Sequence, residues 1–201
     1  HLCNLKTGEI INSSGVMNPQ IKYGEDLMSR VSYAMLNEMG AKKMSSAVRE
    51  GINALIRSLC DNSNIKKELV LEMVIVGNPI MHHLLLDIDP TELGQAPFAL
   101  AISQSINIKL KELSINLNEN TQLYILPCIA GHVGADAAAV ALTTAPESSA
   151  ETILVIDVGT NAEILLGNKN KLLACSSPTG PAFEGAQISC GQRAAPGAIE
   201  N

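Results

Sequence analysis

The amino-acid sequence predicts an α/β fold built on a mixed sheet, and three observations carry that expectation. Apolar residues recur at helical spacing over 25–39 and again over 46–62. Apolar runs of strand length follow at 69–76 and 123–126. Three more runs, 153–158, 162–166 and 171–175, are separated by turn residues and read as an antiparallel meander. Helices alternating with strands, then a meander, is the order of a mixed sheet flanked by helices.

In chain order, Thr7-Gly8 reads as a turn between two short strands within 5–11. Leu27, Val31, Ala34, Met35 and Met39 mark one helical face, with Gly40 as its expected C-terminal cap. Val48, Ile52, Leu55, Ile56 and Leu59 mark a second, with Ser46 as its expected N-cap. The run 69–76 is nearly all apolar, which suits a strand in the middle of a sheet. Asn78 followed by Pro79 is a helix start, and that helix runs through Leu86. The stretch 90–120 alternates around Ile106 to Leu110 without a firm assignment. Gly131 to Thr143 reads as a small-residue helix that lets another backbone approach. The loop 145–150 is the best boundary between domains, and no internal repeat is visible.

Composition excludes several classes. The 201 residues carry a net charge of −6, unlike a general nucleic-acid surface. No apolar segment approaches the ~20 residues of a membrane span. Cys3, Cys60, Cys128, Cys175 and Cys190 are scattered, with no C-x-x-C, and read as small buried hydrophobes. Lone cysteines in odd number fit a reducing cytoplasm. The chain opens at His1 and stops at Asn201 within what reads as an element, so it is expected to be a fragment of a longer protein.

The chemistry concentrates at 153–167, where an apolar strand drives into Asp157 and turns at Gly159-Thr160-Asn161. A carboxylate at the end of a buried strand is costly unless it is paired or faces a metal ion or water. Gly159 suits a tight turn, Thr160 and Asn161 can donate to a phosphate oxygen, and successive turn N–H groups form an anion nest. Glu163 is a second acid just past the tip. The loop 176–188, with Thr179, Gly180 and Gly185, leads into an expected helix whose N-terminus would suit a phosphate. Neither a P-loop nor G-x-G-x-x-G occurs in the chain. His82 and His83 are adjacent on a helix and are not expected to chelate. His132 and Asp136, four apart, could share a metal, but no third ligand is evident and they read as helix capping or support for the phosphate site. Lys42-Lys43 and Lys66-Lys67 read as solvated surface charge.

The strand–Asp157-x-Gly-Thr hairpin resembles the second phosphate motif of the actin-like ATPase superfamily, which holds sugar kinases, actin and heat-shock chaperone ATPases. The small-residue helix before it looks like the superfamily's connecting helix, and 179–186 looks like its Gly-rich phosphate loop. Four segments in order, 18–26, 76–83, 129–136 and 176–200, are similar to the reductive activators of corrinoid proteins. That resemblance implies an actin-like (ribonuclease H-like) α/β fold with mixed sheets flanked by helices, incomplete at both ends. Residues 1–150 would form a first actin-like subdomain lacking its first hairpin, and 151–201 the start of a second.

The resemblance further implies ATP hydrolysis coupled to reduction of a Co(II) corrinoid to Co(I). Asp157 would orient the Mg²⁺ shell or the attacking water, with Asp136 near the metal. Gly159, Thr160, Asn161, Thr179, Gly180 and Gly185 would line the phosphates. A 2Fe–2S centre is expected in the parent protein outside this chain. The expected partner is a corrinoid iron–sulfur protein or the corrinoid subunit of a methyltransferase, in a cytoplasmic, anaerobic methyl-transfer system. A homodimer that covers open sheet edges is a further expectation. The alternative on the same fold is a small-molecule kinase or a nucleotide-switched binding module.

Overall fold

The computed structural model describes residues 1–159 and 161–179. A short antiparallel hairpin, β1 (Leu2–Cys3) and β2 (Ile10–Asn12), turns through Gly8 at φ 76°. That left-handed backbone is the conformation glycine adopts without a Cβ penalty. Two helices follow, α1 (Leu27–Leu36) and α2 (Gly40–Ser63). Asp26 starts α1 by accepting the Ser29 N–H at 2.7 Å.

The expected helix boundaries move here. Gly40 does not close α1 but opens α2, six residues before the expected Ser46 cap. Asn37 ends α1, accepting no side-chain bond but donating its backbone N–H and side-chain amide to the Tyr33 carbonyl. Met39, at φ 60°, makes the reversal instead of a glycine. Gly40 is required for space, because a Cβ would sit 2.8 Å from the Tyr33 carbonyl oxygen.

The first sheet has the order β3-β5-β4, from β3 (Glu72–Ile75), β4 (Ile106–Lys109) and β5 (Gln122–Ile125). β3 runs parallel to β5 and β4 antiparallel to it, so the sheet is mixed. β3 is an edge strand among the described residues, not the central one its apolar run suggests, and Val74 within it is exposed. Its run is also shorter than expected, because Lys67–Leu69 forms a 3₁₀ turn. Helix α3 (Pro79–Leu85) starts as its sequence demands: the Asn78 side chain accepts the Met81 N–H at 2.9 Å, with Pro79 in the first turn.

α2 joins the two apolar cores. One gathers Ile56, Cys60, Leu85, Leu110, Leu113, Leu123 and Ile125 between α2 and the sheet. The other packs Val31, Met44, Ile80, Leu84 and Leu93 where α1, α2 and α3 meet. Arg49 of α2 donates from Nε and Nη2 to the Leu85 carbonyl at 2.9 and 2.7 Å, closing the C-terminal end of α3. Burial lowers the Arg49 pKa, with Asp87 opposing the shift.

The second sheet is the expected meander, with order β6-β7-β8: β6 (Ile153–Val158), β7 (Asn161–Asn168) and β8 (Lys171–Pro178). β8 extends to Pro178, so Ser176 and Ser177 lie in a strand and not in the loop read there. Of the cysteines, Cys60 and Cys128 are buried as expected, whereas Cys3 and Cys175 are exposed. Cys3 sits on a two-residue strand and Cys175 on β8, an edge strand among the described residues.

Candidate functional site

The site is the place where the β6–β7 hairpin meets the start of α4 (Ala135–Thr144). The register sets Asp157 directly opposite Glu163, and Val155 opposite Leu165. In a strand the side chains alternate, so these two pairs share one face of the sheet, and Leu165 is buried on it. Glu163 continues across to β8, where the Ser176 hydroxyl donates to its Oε1 at 3.2 Å.

α4 begins four residues later than the small-residue run suggests. Gly131 to Gly134 form a loop with an Ala130–Val133 bridge, and the helix starts at Ala135. His132 therefore does not stand one helical turn from Asp136; its ring meets Phe98 edge-on at 4.3 Å between centroids. Gly134 permits the close approach expected of this segment. A Cβ there would lie 2.7 Å from Asn78 Cα and 2.8 Å from the Gly77 carbonyl oxygen. With that room, the Ala135 N–H donates to the Gly77 carbonyl at 3.0 Å and the Asp136 N–H at 3.4 Å. The end of β3 thus holds the first turn of α4, and Asp136 with it.

Asp136 is bent back onto its own helix, its Oδ1 accepting the Ala137 N–H at 2.9 Å. Burial nevertheless raises its pKa above the usual carboxylate value, and the Asp157 charge adds to the rise. Glu163 is raised for the same reasons: burial first, then the repulsion of Asp136 and Asp157, opposed by the Ser176 hydrogen bond. Asp136 and Glu163, both partly desolvated, are therefore held near the negative charge of the exposed Asp157. Such a cluster is relieved by a cation.

The residues fit one kind of cation best. No three His, Cys, Asp or Glu side chains among the described residues converge closely enough to cage an ion. Mg²⁺ does not require a cage: it keeps several waters and binds through one or two carboxylates plus phosphate oxygens. Asp136 and Asp157 suit that outer, water-mediated role. The same scarcity of converging ligands holds for the four described cysteines, which build no iron–sulfur site.

The tip differs from its sequence reading in two respects. The Gly159 N–H is not free for an anion nest; it donates to the Asn161 carbonyl at 2.8 Å and closes the hairpin. Gly159 is also not in the left-handed region, and a Cβ there would meet only the Asn161 carbonyl, at 3.6 Å. The turn does not force glycine at this position; the space in front of it is open. Thr179 comes to the same tip, its hydroxyl donating to the Gly159 carbonyl at 2.7 Å. The structure thus brings Asp136, Asp157, Gly159, Asn161 and Thr179 together at one end of the hairpin. Thr160, Gly180 and Gly185, and the helix expected after Thr179, lie outside the described residues.

Glu163 joins these acids across the ladder from Asp157, and its period-2 spacing past the turn is the signal that placed it. His82 and His83 form no metal site among the described residues. His83 is fully occupied: Ala101 N–H donates to its Nε2 at 3.1 Å, so its proton sits on Nδ1, 2.8 Å from the Pro79 carbonyl. Neither nitrogen of the buried His82 has a partner.

Comparison with known proteins decides the family. Residues 1–148 match the RACo middle region, and residues 151–201 match the C-terminal domain of RACo, the ASKHA domain. The chain belongs to the RACo family. It is 34% identical over 200 residues to the corrinoid activation enzyme RamQ of Eubacterium limosum, covering 100% of this chain and 33% of RamQ. It is 29% identical over 210 residues to the Co(II) methylated amine-specific corrinoid protein reductase of Methanosarcina barkeri, covering 98% of this chain and 37% of that protein. Among solved structures, the reductive activator for corrinoid, iron–sulfur protein superposes with a TM-score of 0.88 at 38% identity, over 99% of this chain and 32% of the other. The RACo chain spans about a third of the length of these relatives.

The expected α/β fold with mixed sheets and an actin-like component is therefore the fold of this chain. An ASKHA domain is a nucleotide-binding architecture, in keeping with the acids and hydroxyls at the hairpin tip. Among the described residues, no helix is long and apolar enough to cross a membrane.

Proposed function

We propose that this RACo chain is the nucleotide-sensing part of a protein that uses ATP to drive reduction of a Co(II) corrinoid protein to Co(I). The observation that carries the reading is the acidic cluster of Asp136, Asp157 and Glu163, held at the hairpin tip that opens the ASKHA segment. The relatives' names supply the corrinoid substrate. In the reaction, water cleaves the terminal phosphoanhydride of ATP to give ADP and phosphate. One electron from a separate donor passes to Co(II).

Bound Mg²⁺ would neutralise charge on the phosphates. Asp157 and Asp136 would hold its water shell and, through it, orient the attacking water; Asn161 and Thr179, at the hairpin tip, would donate to phosphate oxygens, and the resemblance assigns the same role to Thr160, Gly180 and Gly185, which lie outside the described residues. Catalysis of this kind is positioning plus electrostatics. The electron donor we propose is the 2Fe–2S centre that the resemblance to reductive activators implies for the parent protein outside this chain. The corrinoid partner is a corrinoid iron–sulfur protein or a methyltransferase corrinoid subunit, and the reaction is cytoplasmic.

We also place the division between the two actin-like subdomains at 150/151. The parallel neighbours β3 and β5, with α3 in the connection between them and α4 leading into the hairpin, support reading 1–150 as the first of the two. The test is made on the complete protein, following ATP hydrolysis and the Co(I) absorbance with and without the corrinoid protein. ATP-dependent Co(I) formation should appear in the wild type and fall at least ~100-fold in Asp157→Asn. Co(I) formation that proceeds equally without ATP, or in Asp157→Asn, would refute the reading.

A further inference from the structure

Far from the hairpin, the junction of α1 and α2 carries three local costs that the fold itself does not require. Met39 is a bulky side chain at φ 60° and ψ 17°, a backbone region such residues rarely occupy. It stands at the N-cap of a 24-residue helix and makes no side-chain capping bond. The first turn of that helix holds no acid but carries Lys42 and Lys43, so two cations sit at the positive end of the helix dipole.

A groove of about 400 Å³ runs beside this junction, lined by Lys22, Tyr23, Met39, Lys42, Lys43 and Ser46, with one acid, Glu50. Lys22 lies over the Tyr23 ring at 4.9 Å, and the ring packs against Tyr33, so one wall is fixed. The rim is basic on a chain whose net charge is −6. Next to it, α1 turns an apolar face to solvent. Met28, Met35, Leu36 and Met39 are exposed, Leu36 to 84%. Positions 28 and 35 are two turns apart on α1, Met39 lies in the turn that follows it, and methionine is the side chain that adapts to varied partner surfaces.

We propose that the groove and the methionine face of α1 together form a docking surface for a protein partner that presents acidic residues around an apolar anchor. The acids would enter the groove, compensating the lysines and the uncapped helix end. The anchor would cover Met35 and Leu36. Charge complementarity selects this occupant: three lysines and one glutamate line the groove beside exposed Met35 and Leu36, so an anionic small molecule would satisfy only one half of the surface. That the partner is the corrinoid protein rests on the proposed function; the acidic, apolar-anchored chemistry does not.

The experiment has two arms on the complete protein. The first is hydrogen exchange with and without the corrinoid protein, alongside association rates for Lys42→Glu combined with Lys43→Glu, and for Leu36→Asp. The expected result is protection over 28–43, an association rate about tenfold lower at low salt for the lysine variant, with the difference fading at high salt, and unchanged basal ATP hydrolysis. If the corrinoid protein binds but protects another surface, this proposal is overturned while the proposed function stands.

If no corrinoid protein binds the wild type, the proposed function falls and the second arm decides. There, an amphipathic probe peptide of Glu, Asp and Leu is compared with a twin in which every acid is Lys. Tighter binding of the acidic probe by about tenfold, lost in both variants, supports the docking surface. Equal binding of the twins, or binding that neither variant weakens, overturns it.

Discussion

Acidification should unlock the helical core through a single side chain, His82. This imidazole is 3% exposed, and neither ring nitrogen has a hydrogen-bond partner. Burial first, and the neighbouring His83 second, push its pKa from 6.5 down to about 4. It lines a small pocket together with Met81, Leu85 and Gln20, and among the described residues no charged side chain lines that pocket. The sign follows from proton counting. Between about 4 and 6.5 the unfolded chain binds a proton that the folded chain refuses, so stability is retained above pH 6.5 and lost as pH falls toward 4.

At about 1.4 kcal/mol per tenfold change, the full gap corresponds to about 3 kcal/mol. His82→Leu removes both the titration and two unsatisfied buried nitrogens. Its expected effect is a gain of about 1–2 kcal/mol at pH 7.5. The margin over wild type should widen by a further ~2 kcal/mol at pH 4.8. Urea unfolding across this range measures the difference, and NMR titration of the His82 Cε1–H reads the protonation directly. A His82 that titrates near 6.5, or a variant whose stability runs parallel to wild type from pH 7.5 to 4.8, would refute the reasoning.

Three other perturbations have defined outcomes. Gly134→Ala forces a Cβ against Asn78 Cα and the Gly77 carbonyl, neither of which can rotate away, and should cost about 2–3 kcal/mol in urea unfolding and weaken nucleotide binding as well. Arg49→Ala strips both donors from the Leu85 carbonyl and should cost about 2 kcal/mol, with faster exchange of the α3 amides as the local readout. Glu163→Gln removes a charge that is repelled in the folded state, so it should raise the thermal midpoint of the nucleotide-free protein near neutral pH. In wild type the same repulsion is relieved as pH falls through the raised folded pKa, and a flat pH response of the midpoint in that range would contradict this.

Local chemistry was legible in the sequence and distant pairing was not. Asn78-Pro79 specified the start of α3, and the turn residues specified the meander, because caps and tight turns are settled by neighbours in the chain. Gly40 was misread because a glycine after a helical run usually supplies a left-handed backbone. Here it supplies clearance for the Tyr33 carbonyl, a contact between two helices. The apolar run before Gly77 suggested a central strand, but its place in the sheet depends on β5, which comes much later in the chain. At the site, Asp157 was legible as a carboxylate ending an apolar strand and Glu163 as a second acid just past the tip. The use of the Gly159 N–H within the hairpin was not, since it depends on how tightly the turn closes. His82 gave no signal either: whether a core histidine finds a partner is decided only when the surrounding elements pack.

The crossing at Gly77 and Gly134 has one further consequence. Asp136 does not belong mechanically to its own helix alone; through two N–H groups on the Gly77 carbonyl its helix start is pinned to the connection between β3 and α3. A change at the proposed nucleotide site that pulls on this acid would therefore tug the start of α3 and, through the connection at Gly77, the end of β3. α3 in turn packs against α1 and α2. Hydrolysis at the hairpin and the shape of the distant helical face would then be read as one coordinate, with a single peptide carbonyl as the hinge pin between them.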